Sequence, residues 1–116
     1  MEIIKNITSE KKDLINAANS TVGFKDIVGT PVKMIGAIIY KKEEKNAKTD
    51  QIEIKTVVSI KKENGEFVST VSPTILQSLE MVLESYSEEE VKAGIDILVK
   101  SKKSGVGREF LYIELA

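Results

Sequence analysis

The chain has 116 residues, of which 41% are hydrophobic and 30% are charged, and its formal net charge is −1. These values are typical of a single globular domain that is large enough to bury a hydrophobic core. The chain contains neither Cys nor His, which excludes disulfides, thiolate nucleophiles, sulfur metal sites, and the usual proton shuttle and zinc ligand. We therefore expect no enzyme activity, no metal site and no cofactor.

The amino-terminal stretch MEIIKNITSEKKDL carries charges within its first turns and does not resemble a signal peptide. No apolar run approaches the roughly 18 residues that a membrane span requires. The sequence therefore predicts a cytoplasmic protein that does not enter a membrane.

The near-neutral net charge hides an asymmetry along the chain. Residues 31–62 contain eight Lys against four acidic residues, and residues 97–116 contain four basic residues against two Glu. Residues 73–96 contain six acidic residues against one Lys. If the basic segments share one face, that face can attract phosphate groups although the whole molecule is nearly neutral.

Residues 1–25 form a predicted amino-terminal arm, separate from a folded domain at residues 26–116. The segment Ser9–Ala18 is compatible with a short helix that has Thr8 or Ser9 as its cap. The pattern leaves open whether this arm packs on the domain or moves freely.

Three strands follow in the predicted order. Pro31 precedes the β-branched run VKMIGAIIYKK, in which Gly36 predicts a bulge. The polar stretch Glu43–Gln51 predicts a loop, and the strict alternation over Ile52–Lys61 predicts a half-buried antiparallel strand. The Asn64-Gly65 pair predicts a tight hairpin that returns the chain into the third strand, FVSTVS.

A helix and two further strands complete the predicted domain. Ser72 and Pro73 are typical of a helix start, and Ser87 with Glu90 predicts a second, short helical turn. Two apolar strands then flank the basic, glycine-containing loop Ser101–Arg108. The order strand-strand-strand-helix-strand-strand is that of the OB-fold. We therefore predict a mainly β fold: an OB-like five-stranded Greek-key barrel with one α-helix between its third and fourth strands.

The alternation of the last strand places Phe110 and Tyr112 on the face opposite to its apolar residues. Single-stranded nucleic acid is held by aromatic rings that stack on bases while cations follow the phosphates. Alternatively, these rings cover the outer barrel surface or pack beneath the arm, and the lysines form an ordinary solvated face. The predicted stacking residues are Tyr40, Phe67, Phe110 and Tyr112. The predicted phosphate contacts are Lys33, Lys41, Lys42, Lys55, Lys61, Lys100, Lys102, Lys103 and Arg108.

Two other motifs resemble a phosphate-binding loop and a metal site, but they lack the residue order or the geometry that such sites need. The loop Ser101–Arg108 does not have the order of a phosphate-binding loop and lies between two strands, so it predicts a flexible basic hairpin. The run Glu88-Glu89-Glu90 places three carboxylates at a helix start, where they suit the helix dipole but do not converge on one ion.

Three segments, DIVGTPVKMIGAIIYKKEE, VSPTILQSLEMVLES and GREFLYIEL, resemble the single-stranded DNA-binding proteins of tailed phages that infect Gram-positive bacteria. The resemblance covers roughly residues 26–116. It implies an OB-like barrel that coats single-stranded DNA in phage replication or recombination, as a homodimer or higher oligomer in the host cytoplasm. It also implies DNA contacts from the Lys-rich loop after the first strand, the basic hairpin and the outward aromatic residues.

A second function is compatible with the same pattern. The barrel face could instead dock a protein of a phage or host replication or recombination complex. That alternative predicts that Ile35, Ile39 and Phe110 form an exposed apolar patch.

Overall fold

The computed structural model describes residues 2–116, which form a mainly β fold with seven strands in one curled, half-barrel sheet and three α-helices. The strands are β1 (Glu2–Ile7), β2 (Val22–Gly23), β3 (Val32–Lys45), β4 (Ile52–Lys62), β5 (Phe67–Thr70), β6 (Ile95–Lys103) and β7 (Glu109–Leu115). The helices are α1 (Asp13–Ala18), α2 (Pro73–Ser85) and α3 (Glu88–Ala93), and a 3₁₀ helix spans Phe24–Ile27. Among residues 2–116, no helix combines the length and the apolar character that crossing a membrane would need.

The long central strand β3 organises the sheet, whose strand order is β2-β5-β4-β3-β6-β7. One edge of β3 pairs with β4 along most of its length. The other edge pairs with β6 at Val32–Met34 and with β1 at Ala37–Lys41, so these two strands lie end to end. All of these pairings are antiparallel, whereas the short β2 pairs in parallel with β5.

The bulge predicted at Gly36 is confirmed. The register between β3 and β4 shifts between Met34 and Gly36. A Cβ atom on Gly36 would lie 2.8 Å from the carbonyl oxygen of Ile7 in β1. Glycine at position 36 therefore allows β1 to approach the bent part of β3. The predicted five-stranded barrel did not include β1, so the sequence interpretation gave a different reason for this glycine.

The order of strands and helices predicted from residue 31 onward is observed, and its local signals have the expected roles. The Ser72 hydroxyl accepts a hydrogen bond from the Ile75 amide at the start of α2. Ser87 and Glu90 form the capping box of α3, and Gly65 has a positive φ of 91° in the turn between β4 and β5. These signals act over three or four residues, so they do not depend on the rest of the fold.

The first 25 residues contain more regular structure than the sequence predicts. Strands β1 and β2 were not expected, and α1 begins at Asp13 rather than near Ser9. The predicted cap at Thr8 or Ser9 is therefore wrong: the residue before the helix is Lys12, whose side chain makes no capping hydrogen bond. This segment is arranged by its contacts with β3, β4 and β5 instead of by its own capping residues.

The sheet buries apolar side chains on both of its faces. The concave face, with α2, α3 and the 3₁₀ helix, encloses the main core. On the outer face, α1 covers a second and smaller cluster. This cluster consists of Ala17, Ile38, Tyr40, Val57 and Phe67, with Leu14 at its margin.

Helix α2 covers part of the free edge of β7. The Thr74 hydroxyl donates a 2.6 Å hydrogen bond to the Leu111 carbonyl, and the Ile113 amide donates a 3.0 Å bond to the Ser78 hydroxyl. Side-chain hydroxyls thus replace a neighbouring strand, which protects the edge from pairing with other chains. Within residues 2–116 no ladder joins β7 to β5, and a cleft of about 940 Å³ lies between them.

Candidate functional site

The outer face of β6 and β7 brings four of the predicted contact residues together. Lys100 lies opposite Tyr112 and Lys102 lies opposite Phe110 in the antiparallel register. Ile113 belongs to the main core, so the alternation of the strand turns Phe110 and Tyr112 outward. We call this surface, formed by Lys100, Lys102, Phe110 and Tyr112, the aromatic–lysine face.

The two rings of the aromatic–lysine face are neighbours and remain partly accessible. Their centroids are 6.2 Å apart, the ring planes are inclined by 46°, and both side chains are half-buried. This distance is within the range of a favourable aromatic pair. Each ring can therefore support the other while part of its surface stays open to a ligand.

The cations of this face differ in how they are paired. The Lys100 ammonium lies 3.0 Å from the Glu114 carboxylate, and this hydrogen bond raises the pKa of Lys100 above its ordinary value. Lys102 and Arg108 have no carboxylate within 4.0 Å in the described part of the chain. Lys103 lies opposite Glu109 and, by the same alternation, on the other face of the hairpin. The positive charge that is not compensated locally is therefore concentrated at the loop end of the hairpin.

The loop between β6 and β7 is a hairpin turn at residues 104–108, shorter than the predicted basic loop Ser101–Arg108 because β6 extends to Lys103. The Ser104 amide donates to the Arg108 carbonyl at 2.7 Å, and the Gly107 amide donates to the Ser104 carbonyl at 2.9 Å. Gly107 has a φ of 80°, a conformation that glycine adopts without strain. These bonds fix the turn and place its cations next to the aromatic residues.

Tyr40 and Phe67 do not belong to the accessible surface, and the structure corrects their prediction as stacking residues. Tyr40 is 4% exposed and Phe67 is 5% exposed, because α1 packs over them through Leu14 and Ala17. Burial raises the pKa of the Tyr40 phenol. Both rings contribute to the small outer cluster and cannot stack on a base in this conformation.

The arm also makes Lys61 unavailable for its predicted role as a phosphate contact. Its ammonium lies 3.0 Å from the buried Asp13 carboxylate and 3.5 Å from that of Glu10. The hydrogen bond to Asp13 raises the pKa of Lys61. Lys61 therefore holds α1 against the sheet instead of facing a phosphate group.

The remaining predicted lysines lie in other parts of β3 and β4. Lys33 pairs with Asp96 of β6 at 3.6 Å. Lys42 and Lys55 face each other at the far end of the β3–β4 ribbon, about 30 Å along the strand from Lys33. Lys41, next to Lys42 in the strand, points to the opposite face of the ribbon. These lysines are spread along β3 and β4, and none of them belongs to the aromatic–lysine face.

Part of the charge on this ribbon is neutralised by neighbouring residues. The Lys55 ammonium lies 3.1 Å from the Glu44 carboxylate. The hydrogen bond from Lys55, with a smaller contribution from the charge of Lys42, lowers the pKa of Glu44. Lys55 is consequently a weaker candidate for a phosphate contact than Lys102.

The apolar patch predicted for a protein-docking face does not form as expected. Ile39 is buried in the main core, and Ile35 and Phe110 are only partly exposed. Ile39 and Phe110 therefore cannot form one accessible surface. In the described residues, no group of three potential metal ligands converges either, including the carboxylates of Glu88–Glu90.

The sequence interpretation missed the role of the arm as a cover for the sheet. The available signal was weak: Leu14 and Ala17 are three residues apart and can therefore lie on one helix face. Nothing in that spacing specifies which part of the sheet the helix would cover. Aromatic rings do pack beneath the arm, but they are Tyr40 and Phe67, whereas the sequence interpretation raised that alternative for Phe110 and Tyr112.

Comparisons with known proteins add no relative from which a role could be transferred. No protein-family model matches the chain, and no curated protein and no solved structure matches it either.

Proposed function

We propose that this chain binds single-stranded DNA with little sequence preference, and that the aromatic–lysine face is the binding surface. The observation that carries this proposal is the position of Phe110 and Tyr112, side by side and directly opposite Lys102 and Lys100. An aromatic ring can stack on any base, and an ammonium group can pair with any phosphate. Binding to this face therefore requires no particular nucleotide sequence.

The strand order supports an OB-like Greek-key barrel built from β3, β4, β5, β6 and β7. Strand β3 lies between β4 and β6, so the first strand of this set pairs with both the second and the fourth. The two loops that usually flank an OB-fold ligand correspond to residues 46–51 and 104–108. Because α1 covers the outer face of β4 and β5, the proposed contact surface lies on the last two strands instead.

The expected affinity follows from the groups on this surface. Each base stacked on a ring contributes about 1–3 kcal/mol, so Phe110 and Tyr112 together are sufficient for useful binding. Each phosphate neutralised on a single strand adds about 0.7 to the slope of log affinity against log salt. With Lys100, Lys102 and Arg108 as contacts, we expect a slope of about −2.

The resemblance to phage proteins supports a role for this binding in phage DNA replication or recombination. Such a role would include other replication or recombination proteins of the phage or its host as partners, and self-association of this chain. It requires that the aromatic–lysine face remains accessible in those complexes.

Fluorescence anisotropy of a labelled oligo-dT tests this proposal directly. We expect binding that weakens as salt is raised and that duplex DNA does not displace. Lys102→Glu should reduce the affinity strongly, whereas Lys92→Glu in α3, the same charge change on the acidic helical segment, should reduce it much less. Absence of oligo-dT binding at low salt, or equal loss in the two variants, would contradict the proposal.

A further inference from the structure

The cleft between β5 and β7 has the size and the lining of a ligand site. Its volume of about 940 Å³ lies within the range of small-molecule pockets, about 300–1,000 Å³. Phe24, Pro73 and Leu111 contribute apolar walls. Its polar lining includes four hydroxyl residues, Ser69, Thr70, Ser72 and Thr74. A flat group with apolar faces and a polar edge, such as a nucleobase, therefore suits the cleft.

The cleft is continuous with the aromatic–lysine face. Phe110 is a member of that face and also lines the cleft. The next residue, Leu111, packs against the main core from the concave side of the sheet. Phe110 therefore stands at the border between the outer face and the cleft. A single strand whose bases stack on Tyr112 and then on Phe110 is led to the mouth of the cleft.

Two carboxylates without ionic partners line the cleft. Asp26 lies in the 3₁₀ helix, where one carboxylate oxygen accepts a 3.1 Å hydrogen bond from the Gly23 amide. Glu109 begins β7, and one of its oxygens accepts a 2.6 Å hydrogen bond from the Ser101 hydroxyl. Among residues 2–116, neither carboxylate has a cation within 4.0 Å. Each therefore keeps an oxygen that can accept a hydrogen bond from a ligand.

A hydroxyl donor lies on the other side of the cleft from Glu109. Thr70 ends β5 and, by alternation with the buried Val68, points to the concave side of the sheet. Glu109 points to the same side by alternation with the buried Ile113. The Thr70 hydroxyl accepts a 3.2 Å bond from the Ser72 amide and, within residues 2–116, donates to no acceptor. The cleft thus offers an acceptor from β7 and a donor from β5.

This combination of acceptor and donor matches the pairing edge of cytosine. Cytosine presents an amino donor at N4, beside ring and carbonyl acceptors, and a carboxylate is a good partner for that amino group. Thymine carries a carbonyl oxygen in the place of the amino group. That oxygen would meet the carboxylate with lone pairs on both sides, and the acceptor would stay unpaired. The lining therefore distinguishes two pyrimidines of similar size.

We propose that the β5–β7 cleft is a base-selective subsite, into which one base of the bound strand inserts and in which cytosine is preferred to thymine. Glu109 accepts a hydrogen bond from the cytosine amino group, and Thr70 donates to an acceptor on the same edge. Lys25 is exposed at the cleft, has no carboxylate within 4.0 Å among residues 2–116, and pairs with the adjoining phosphate. The inference rests on the proposed DNA binding and adds a preference at one position to a surface that otherwise accepts any sequence.

Fluorescence anisotropy with oligo-dC and oligo-dT of equal length, at pH 8 and one salt concentration, measures this preference. The wild-type protein should bind oligo-dC about fivefold more tightly, which corresponds to one hydrogen bond of about 1 kcal/mol. Glu109→Gln keeps an oxygen for Ser101 but also offers an amide donor to thymine, so the ratio should fall to about one. Glu84→Gln removes another exposed carboxylate, about 16 Å along α2 from the cleft, and should leave the ratio unchanged.

Two substitutions of one glycine test whether a base enters the cleft. Gly23 lines the cleft, its backbone is extended with a φ of −99°, and an added Cβ would meet no atom within 4 Å. Gly23→Leu therefore fills part of the cleft without straining the backbone and should abolish the preference for oligo-dC. Gly23→Ala leaves most of the space and should keep the preference. Thermal unfolding followed by circular dichroism checks that both variants are folded.

The outcomes separate this proposal from the DNA-binding proposal. If the wild-type protein binds oligo-dC and oligo-dT equally well, the subsite is overturned and DNA binding stands. A preference for oligo-dC that persists in Glu109→Gln or in Gly23→Leu also overturns the subsite, because another part of the surface would then be responsible. Binding of neither oligonucleotide at low salt overturns both proposals.

Discussion

The outer face of the sheet has two halves that carry the same kinds of residues and are used in different ways. On β3, β4 and β5, Tyr40 and Phe67 lie near Lys61 beneath α1. On β6 and β7, Phe110 and Tyr112 lie near Lys102 with no helix above them. In the covered half, the aromatic rings belong to a core and the lysine belongs to an ion pair. In the open half, the corresponding groups remain available to a ligand.

This difference shows that the availability of a residue is set by the segment packed over it. An aromatic residue on an outward strand position either stacks on a ligand or fills the space beneath a covering helix. Asp13 is the group that distinguishes the two halves, because it gives Lys61 a buried partner, whereas no carboxylate in the described chain pairs with Lys102. Lys61 therefore holds α1 on the sheet and is not available to a ligand.

The largest difference between the two halves should appear in stability. Phe67→Ala should lower the free energy of unfolding by about 3–5 kcal/mol, since it leaves a cavity in the outer cluster. Phe110→Ala should lower it by about 1 kcal/mol, because the ring is only half-buried. Urea unfolding measures both values. Similar losses in the two variants would show that the two halves are packed alike.

The next effect concerns binding rather than stability. Tyr112→Ala should weaken binding of oligo-dT by about 1–3 kcal/mol, because one stacking surface is lost. Tyr112→Phe keeps the ring and should bind like the wild type. Anisotropy titrations at one salt concentration provide the comparison. Equal affinities for the alanine and phenylalanine variants would exclude the ring as a stacking surface.

The ion pair beneath α1 gives a pH-dependent prediction. Asp13→Asn should destabilise the protein by about 2 kcal/mol at neutral pH, since Lys61 loses its charged partner. Glu10→Gln removes a more exposed partner of the same lysine and should cost much less.

The sign of the pH dependence follows from the raised pKa of Lys61. The stabilisation is complete below the ordinary lysine pKa of about 10.4 and is lost as the pH rises through the folded-state value. Unfolding curves at pH 8 and pH 11 should therefore show that the gap between the wild type and Asp13→Asn is smaller at pH 11 than at pH 8. A gap that persists unchanged would mean that the carboxylate acts through packing alone.

The smallest effects distinguish individual lysines. Lys102→Ala should reduce the salt slope of oligo-dT binding by about 0.7, the contribution of one phosphate contact. Lys55→Ala should change the affinity by less than about twofold, because that lysine is paired with Glu44 and lies far from the rings. A larger loss for Lys55 than for Lys102 would move the binding surface to the β3–β4 ribbon.

The sequence was sufficient to predict features that depend on neighbouring residues. The cap at Ser72 and the hairpin at Asn64-Gly65 are local signals, and both are confirmed. The alternation of the last strand likewise placed Phe110 and Tyr112 on one face, and the structure agrees. The polar stretch Glu43–Gln51 predicted the loop between β3 and β4, although β3 extends to Lys45 and the loop is confined to residues 46–51.

The features that the sequence could not predict depend on contacts between distant residues. Strand β1 pairs with β3 where Gly36 allows a close approach, and the ion pair between Asp13 and Lys61 joins α1 to the sheet. The sequence does not indicate that Asp13 and Lys61 form an ion pair, since 48 positions separate them. For the same reason Tyr40 looked as accessible as Tyr112.

A fluorescent reporter on the open half tests the central claim most directly. The chain has no Trp, so a Phe110→Trp variant carries a single reporter on the aromatic–lysine face. Tyr86→Trp places the matched reporter at the end of α2, beside the acidic helices. We predict that oligo-dT quenches the Trp at position 110, less at high salt, and leaves the Trp at position 86 unchanged. No quenching at position 110, or equal quenching at both positions, would contradict single-strand binding by the outer face of β6 and β7.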